Sequence, residues 1–466
     1  MPHRAGRFRL AGSLIVCVAS APGGVLAATF VVTSIGDAHD AVIDGVCDTG
    51  GGVCTLRAAI EEANAQVSPD PRVLLPALTI SLALGELPIT RAMTIEGAGA
   101  AASIVQPLGA PNARCLHHTA GALTLRGITI RGFRLATGSL GLGAGTAIYS
   151  QAPLTLERCA FDDNRSPDGA GGAVVAISSL VATDGSFTRN SAYSTGALFA
   201  NAQATLARLR FEGNSATELA GAVSFAAAPA RVEESYFADN QGKDGGAIAL
   251  FPEADLAVVN STFRHNLATR NGGGIALFSD LGVDPGLRLF NTTFALNEAE
   301  SDRSGSGAGG AIYNGQSSSS NVQLYDSILA DNAEQVFFDP FWVRVPQECR
   351  GPVASNGYNI VQYNDGGCSI AGATQAVDPL LQPAAYNGGA TPTLALAANS
   401  PAVGAGNPTA VGGCIDDFGA PIPADQRGSI RPYGVDCDLG AFEWGSLTFS
   451  DDFEGGDLSR WSARSP

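Results

Sequence analysis

Apolar and polar residues alternate in short runs through the middle of the chain. Leu154-Thr155-Leu156, Ala207-Arg208-Leu209-Arg210 and Leu287-Arg288-Leu289 are such runs. A period of two predicts short strands with one buried face. The runs lead into a Phe-x-x-Asn motif at Phe161/Asn164, Phe187/Asn190, Phe211/Asn214, Phe237/Asn240, Phe263/Asn266 and Phe294/Asn297, spaced 26, 24, 26, 26 and 31 residues apart. A degenerate seventh copy spans Ile328 to Asn332. After each copy comes a small-residue turn and an apolar step, as in Gly172-Ala173-Val174, Gly196-Ala197-Leu198 and Gly246-Ala247-Ile248. Gly and Asn between strands turn the chain sharply because both tolerate positive φ.

One repeat of about 25 residues therefore reads as strand, turn, strand, turn, which is one coil of a solenoid. Coils stacked at about 4.8 Å place each Phe over the next Phe and each Asn over the next Asn. The Phe column is expected to fill the interior. Asn164, Asn190, Asn214, Asn240, Asn266 and Asn297 are expected to pass amide hydrogen bonds along a buried bend. The predicted fold is all-β, a right-handed parallel β-helix over 75–345. Ahead of it, Leu56, Ala59, Ile60 and Ala63 share one face of a short capping helix.

Composition narrows the picture. Gly accounts for 58 of 466 residues without a Gly-X-Y period, which excludes collagen. The net charge of −17 disfavours nucleic acid and anionic membranes as partners. Arg4, Arg7 and Arg9, the apolar run Leu10 to Ser20 and the small residues before Ala28 read as a signal peptide over 1–28. No later stretch has 18 consecutive apolar residues, so no transmembrane helix is expected after it. Export to the cell surface or beyond suggests disulfides among the eight remaining cysteines. Sequence neighbours pair as Cys47–Cys54, Cys349–Cys368 and Cys414–Cys437, which leaves Cys115–Cys159 by elimination.

The alternation of FxxN with GGA steps over 161–332 resembles the repeats of chlamydial polymorphic outer-membrane proteins, which are surface-exposed passengers and adhesins. Cys54-Thr55-Leu56-Arg57-Ala58-Ala59 resembles the core of the CSLREA domain, with Ala58 where that pattern has Glu. This implies a cap over 29–74. Ser355-Asn356-Gly357-Tyr358-Asn359, Asp378-Pro379-Leu380-Leu381, Asp425-Gln426-Arg427-Gly428 and Cys437-Asp438-Leu439-Gly440-Ala441-Phe442-Glu443 resemble the choice-of-anchor Q domain of secreted bacterial β-helix proteins. That resemblance covers 346–445 and implies that the region continues or closes the solenoid. The acidic tail 446–466 looks like a sorting signal.

Candidate chemistry is sparse. A lyase acting on a uronate needs a base and a cation that neutralises the carboxylate. The cationic cluster to weigh is Lys243, Arg264, His265 and Arg270. Aligning coils on the Gly-Ala step puts Glu218, Lys243 and Arg270 in one column, which also reads as a surface ion-pair ladder. Asp pairs such as Asp162/Asp163 and Asp239/Asp244 are numerous, and none stands out as a hydrolase pair. The same Asp-rich turns leave calcium open as a ligand; no other metal or cofactor is expected. His117 and His118 are adjacent on a strand and so face opposite ways. The inserts 297–309 and 333–352 break the regular turns and are the expected places for a grafted site. The expectation is a monomeric, secreted or surface-displayed interaction protein, adhesin-like or glycan-binding. A polysaccharide lyase or glycosidase and a structural envelope protein are the alternatives.

Overall fold

The computed structural model describes residues 27–445 apart from 68, 110–112, 136–144, 280–282, 306, 317–320 and 365–366. Most of the signal peptide expected over 1–28, and the whole tail 446–466, lie outside the described residues. One coil consists of four strands, Val174–Ala176, Leu180–Thr183, Ser186–Thr188 and Ser191–Ala192. Each strand pairs in parallel with its counterpart one coil on: Val174 with Leu198, Leu180 with Ala204, Phe187 with Phe211 and Ser191 with Ser215. These four columns are called sheets I to IV in that order. They form a right-handed parallel β-helix.

The Phe column lies inside sheet III. Rings from Phe161 to Phe294 stack at 4.4–4.8 Å between centroids. Every Phe in the column is buried. The Asn column turns the corner from sheet III to sheet IV. Asn240 donates from Nδ2 to Asn266 Oδ1 at 2.9 Å and to the Phe211 carbonyl at 3.0 Å, and its Oδ1 accepts from both the backbone N and the Nδ2 of Asn214. The pattern repeats from Asn164 to Asn332. It ends on an acid: Asn332 Nδ2 donates to Glu348 Oε2 at 2.6 Å. The glycines of the GGA steps answer to space. A Cβ on Gly196 would lie 1.9 Å from the Gly221 carbonyl, and one on Gly246 would lie 2.1 Å from that of Gly273.

Gly and Asn do not fill all the turns. The corner from sheet II to sheet III is held at positive φ by Arg158, Asp184, Arg208 and Glu234 before Asn260 and Asn291. The left-handed conformation costs an L-residue about 1–2 kcal/mol. Hydrogen bonds to the next coil hold these residues there, as in Arg158 N to the Thr183 carbonyl.

The stack runs beyond 75–345 at both ends. It begins at Thr29–Val31, where Phe30 pairs with Val73, and continues to Cys368–Ala371, where Ile370 pairs with Val353. These end coils lack the Phe and Asn signature, so the repeat does not reveal them. The helix Leu56–Ala65, capped by Thr55 Oγ1 accepting from Ala58 N, packs its buried face on the first coils. Arg57 is buried in a bidentate pair with Asp37 at 2.7 and 3.1 Å.

The region 346–445 divides in two. Cys349–Ser355 joins sheets I and II and continues the stack. From Leu381 on the chain folds back along the corner between sheets II and III. Asn260 Nδ2 donates to the Ala424 carbonyl, Thr262 Oγ1 to Gln426 Oε1, and Ala441 N to Thr293 Oγ1. Eight prolines between Pro379 and Pro432 lack the amide a sheet ladder needs, which explains why stacking stops.

Cys47–Cys54, Cys349–Cys368 and Cys414–Cys437 are disulfides. The Cys115–Cys159 pairing expected by elimination is corrected: both thiols are free and buried. Cys115 precedes the sheet I strand Leu116–His118, whereas Cys159 sits at the corner between sheets II and III of the next coil. Burial pushes both thiols up, Cys159 to about 11, so neither is a reactive thiolate.

Candidate functional site

The four cationic residues singled out in the sequence fall on two sheets, each beside an acid or a phenol. Arg264 and His265 lie at the end of a sheet III strand and the corner after it. His265 Nδ1 is 2.6 Å from Asp239 Oδ1, and Arg264 reaches the buried Tyr236, whose phenol is raised chiefly by burial. Lys243 and Arg270 lie on sheet IV. Lys243 Nζ donates to Glu218 Oε2 at 2.8 Å, while Arg270 turns to the buried Asp244, with Nε 2.8 Å from Oδ1. The column of Glu218, Lys243 and Arg270 is thus split by a register shift between Gly242 and Asp244. His118 faces the core, with Ser150 Oγ at 2.7 Å and the Gly121 carbonyl at 2.9 Å, and burial lowers its pKa. His117 faces outward and meets Glu86 Oε1 at 3.1 Å.

The inserts do converge. The second forms an antiparallel hairpin, Ala333–Phe338 with Phe341–Pro346, and Trp342 on it approaches Gly305 of the first. Gln335 Nε2 donates to Glu298 Oε1 at 2.9 Å. The hairpin tip is aromatic, with Phe337, Phe338 and Phe341 exposed.

A stronger concentration of charge lies toward the other end of sheet III, where the Phe column begins. A groove of about 490 Å³ is lined by Gln106, Pro107, Arg131, Gly132, Asp162, Asp163, Arg165 and Arg189. The coil register builds it. Arg131 pairs across coils with Asp162, the residue after Phe161, and Arg134 bridges to Arg165 at the start of sheet IV. Asp163 and Arg189 hold the corner at positive φ, and Gly132 leaves the groove open where they would have a neighbouring side chain.

Two carboxylates serve three guanidiniums, and a fourth, Arg131, has none among the described residues. Asp162 Oδ2 takes Arg189 at 2.5 Å and its Oδ1 accepts from Thr188 Oγ1 at 2.7 Å. Asp163 is shared by Arg134 at 2.9 Å and Arg165 at 2.8 Å. Arg131 donates to Gln106 Oε1 at 3.0 and 3.2 Å and has no carboxylate partner among the described residues. The groove is therefore a local cationic surplus in a chain of net charge −17. A guanidinium presents a planar fork that matches carboxylate and sulfate geometry, so the surplus suits an anionic ligand.

Sequence reasoning passed over this groove. Asp162/Asp163 were one Asp pair among several, and the coil before Phe161 carries Ile130 in the Phe position. A ruler laid on Phe alone stops one coil short of Arg131. Counting from Ile130 as well would have aligned Arg131 with Asp162.

Other buried charges belong to the fold. Arg427 pairs with Asp425 at 2.6 Å and lies 3.7 Å over the Phe442 ring; Arg431 pairs with Glu443 at 3.3 Å. The Asp-Gln-Arg-Gly and Asp-Leu-Gly-Ala-Phe-Glu segments are thus the interior of the folded-back lobe. Among the described residues, the group of three metal-ligand side chains close enough to share an ion is Asp326, Cys414 and Cys437, and those two sulfurs are bonded to each other.

No family model matches the chain, and no curated protein matches it. Among solved structures, pectate lyase Pel9A aligns over 90% of this chain and 97% of its own at 13% identity, with a TM-score of 0.43. The A-module of the Azotobacter vinelandii mannuronan C-5 epimerase AlgE6 aligns over 69% of this chain and 94% of its own at 14% identity, with a TM-score of 0.25. At such values the site is read from the residues of this chain alone.

Proposed function

We propose that this is an exported β-helix protein that binds an acidic glycan in the groove between Arg131 and Arg189. The observation that carries the reading is the charge balance there, three arginines against two aspartates in the lining, with Arg134 beside it, on an otherwise acidic molecule. Three disulfides support export. Affinity electrophoresis through gels cast with polygalacturonate, dextran sulfate or neutral dextran tests it. The anionic gels retard the protein, neutral dextran does not, and salt weakens the effect. Arg131→Gln lowers affinity at least about ten-fold. Passage through every anionic gel without retardation overturns the proposal.

A second reading rests on His265, which Asp239 holds beside Arg264 and Tyr236 on the same face. An imidazole fixed by a carboxylate is a competent general base. This reading predicts unsaturated ends, seen by ultraviolet absorbance, when the protein is incubated with uronate polysaccharides, and their loss in His265→Ala. No absorbance change on any uronate polymer rules the lyase out.

A further inference from the structure

The arginine groove opens at Arg165 into a second one of about 600 Å³, which follows sheet IV. The register makes its floor a single outward column. Arg134 bridges to Arg165, Arg165 pairs with Ser191, Ser191 with Ser215, and Ser215 with Gln241. At about 4.8 Å per coil, three steps carry the column about 14 Å from Arg165 to Gln241. Its chemistry changes along the way. Charge is confined to the Arg134–Arg165 end, and beyond it the polar side chains lining the groove are uncharged: Ser191, Ser215, Thr217 and Gln241.

These hydroxyls and the amide make no side-chain hydrogen bond with the described residues, so their donors and acceptors face the groove unspent. A hydroxyl gives one donor and two acceptor sites, and an amide gives two donors and an acceptor, a match for sugar hydroxyls. Ala192 and Ala216, each the next residue along its strand, also line the groove and add no bulk to it. Past Arg165 no cation among the described residues lines the groove, and Lys243, two residues beyond Gln241 on the same strand, is already paired with Glu218, on a molecule whose overall field repels an anionic unit.

Resting on the acidic-glycan reading, we propose that the ligand is a heteropolysaccharide joining acidic to uncharged sugar units. The acidic unit lies among Arg131, Arg165 and Arg189, and the uncharged unit lies along Ser191, Ser215 and Gln241. Titration calorimetry of the purified chain separates this from a homopolymer site. Hyaluronan alternates a uronate with an uncharged N-acetylhexosamine, polygalacturonate is acidic at every unit, and dextran is neutral. The expected order is hyaluronan at least ten-fold tighter than polygalacturonate, with no binding of dextran. Ser215→Val removes the preference and leaves polygalacturonate binding unchanged, whereas Arg189→Gln weakens both anionic polymers. Equal or tighter binding of polygalacturonate, or an equal loss for both polymers in Ser215→Val, overturns the inference while the acidic-glycan reading stands. Binding of neither anionic polymer overturns both.

Discussion

The coils between Ile148 and Asn332 and the folded-back lobe after Leu381 bury polar groups by opposite means. In the coils one neutral solution is repeated: each Asn side chain takes its partners from the coils above and below, and no ionisable group enters the bend until Glu348 at its end. In the lobe each group is settled individually, with Asp425 on Arg427, Glu443 on Arg431 and Asp438 on the backbone amides of Gly404 and Trp444. Repetition lets one residue type satisfy many sites, so a loss in one coil should resemble a loss in any other. The lobe has no such equivalence.

The largest expected effect tests that equivalence. Asn240→Leu strands the Asn214 backbone N and takes one hydrogen bond each from Asn214 Nδ2, the Phe211 carbonyl and Asn266 Oδ1, all in a buried bend. A stranded buried amide costs about 1–3 kcal/mol and each of the other lost bonds about 1 kcal/mol, so the loss is expected at about 5 kcal/mol. Asn190→Leu and Asn214→Leu are expected to cost the same, as read by urea unfolding. Widely different costs at the three positions break the comparison.

The same contrast governs what was legible beforehand. Phe161 to Phe294 and Asn164 to Asn297 recur at a nearly fixed spacing, so stacking alone implies the interior, the ladder and the parallel sheets. The end coils at Phe30 and Ile370 follow the same pairing with other side chains, and only their registers reveal them. The lobe was legible as a distinct region through its own sequence pattern. Its path was not, because Thr262 to Gln426 and Asn260 to Ala424 are contacts across 164 residues with no periodicity to announce them. The arginine groove was half legible: Asp162, Asp163, Arg165 and Arg189 sit at fixed offsets from the repeat, but Arg131 lies in a coil where Ile130 replaces Phe.

Two buried acids carry the comparison into pH. Glu348 ends the Asn ladder, fully buried, with Oε1 unpartnered among the described residues, and burial pushes it up to about 8. Asp326 sits at the seam with the lobe, accepting from Asn407 N at 2.6 Å, and burial pushes it up to about 6. A carboxyl raised in the folded state holds its proton more tightly there than in the unfolded chain. Its contribution is therefore complete below the unfolded value and is lost as pH rises through the folded one. Glu348 is expected to withdraw about 5 kcal/mol between pH 4.5 and 8, and Asp326 about 3 kcal/mol between pH 3.8 and 6. Glu348→Gln flattens the upper window and Asp326→Asn the lower, in denaturation midpoints followed from pH 3.5 to 9. A profile that Glu348→Gln leaves unchanged removes the acid from the end of the ladder as a source of pH sensitivity.

The smallest effect belongs to the coils' outer surface, where repetition gives no protection. Lys243 and Glu218 meet at 2.8 Å, but each side chain keeps about a third of its surface in water, at 35% and 36%. Such pairs contribute about 0–1 kcal/mol, because solvent and salt screen them and two long side chains lose freedom. Lys243→Ala is therefore expected to cost under about 1 kcal/mol and to leave the unfolding slope unchanged. Its neighbour supplies the internal control. Arg270 serves Asp244, which is almost wholly buried, so Arg270→Ala leaves a buried carboxylate with Asn271 alone and is expected to cost about 3 kcal/mol. The two pairs lie on adjacent turns of the same sheet and differ chiefly in the burial of the acid. Equal losses in the two variants would mean that position in the stack, and not burial of the carboxylate, sets the value of an ion pair on this solenoid.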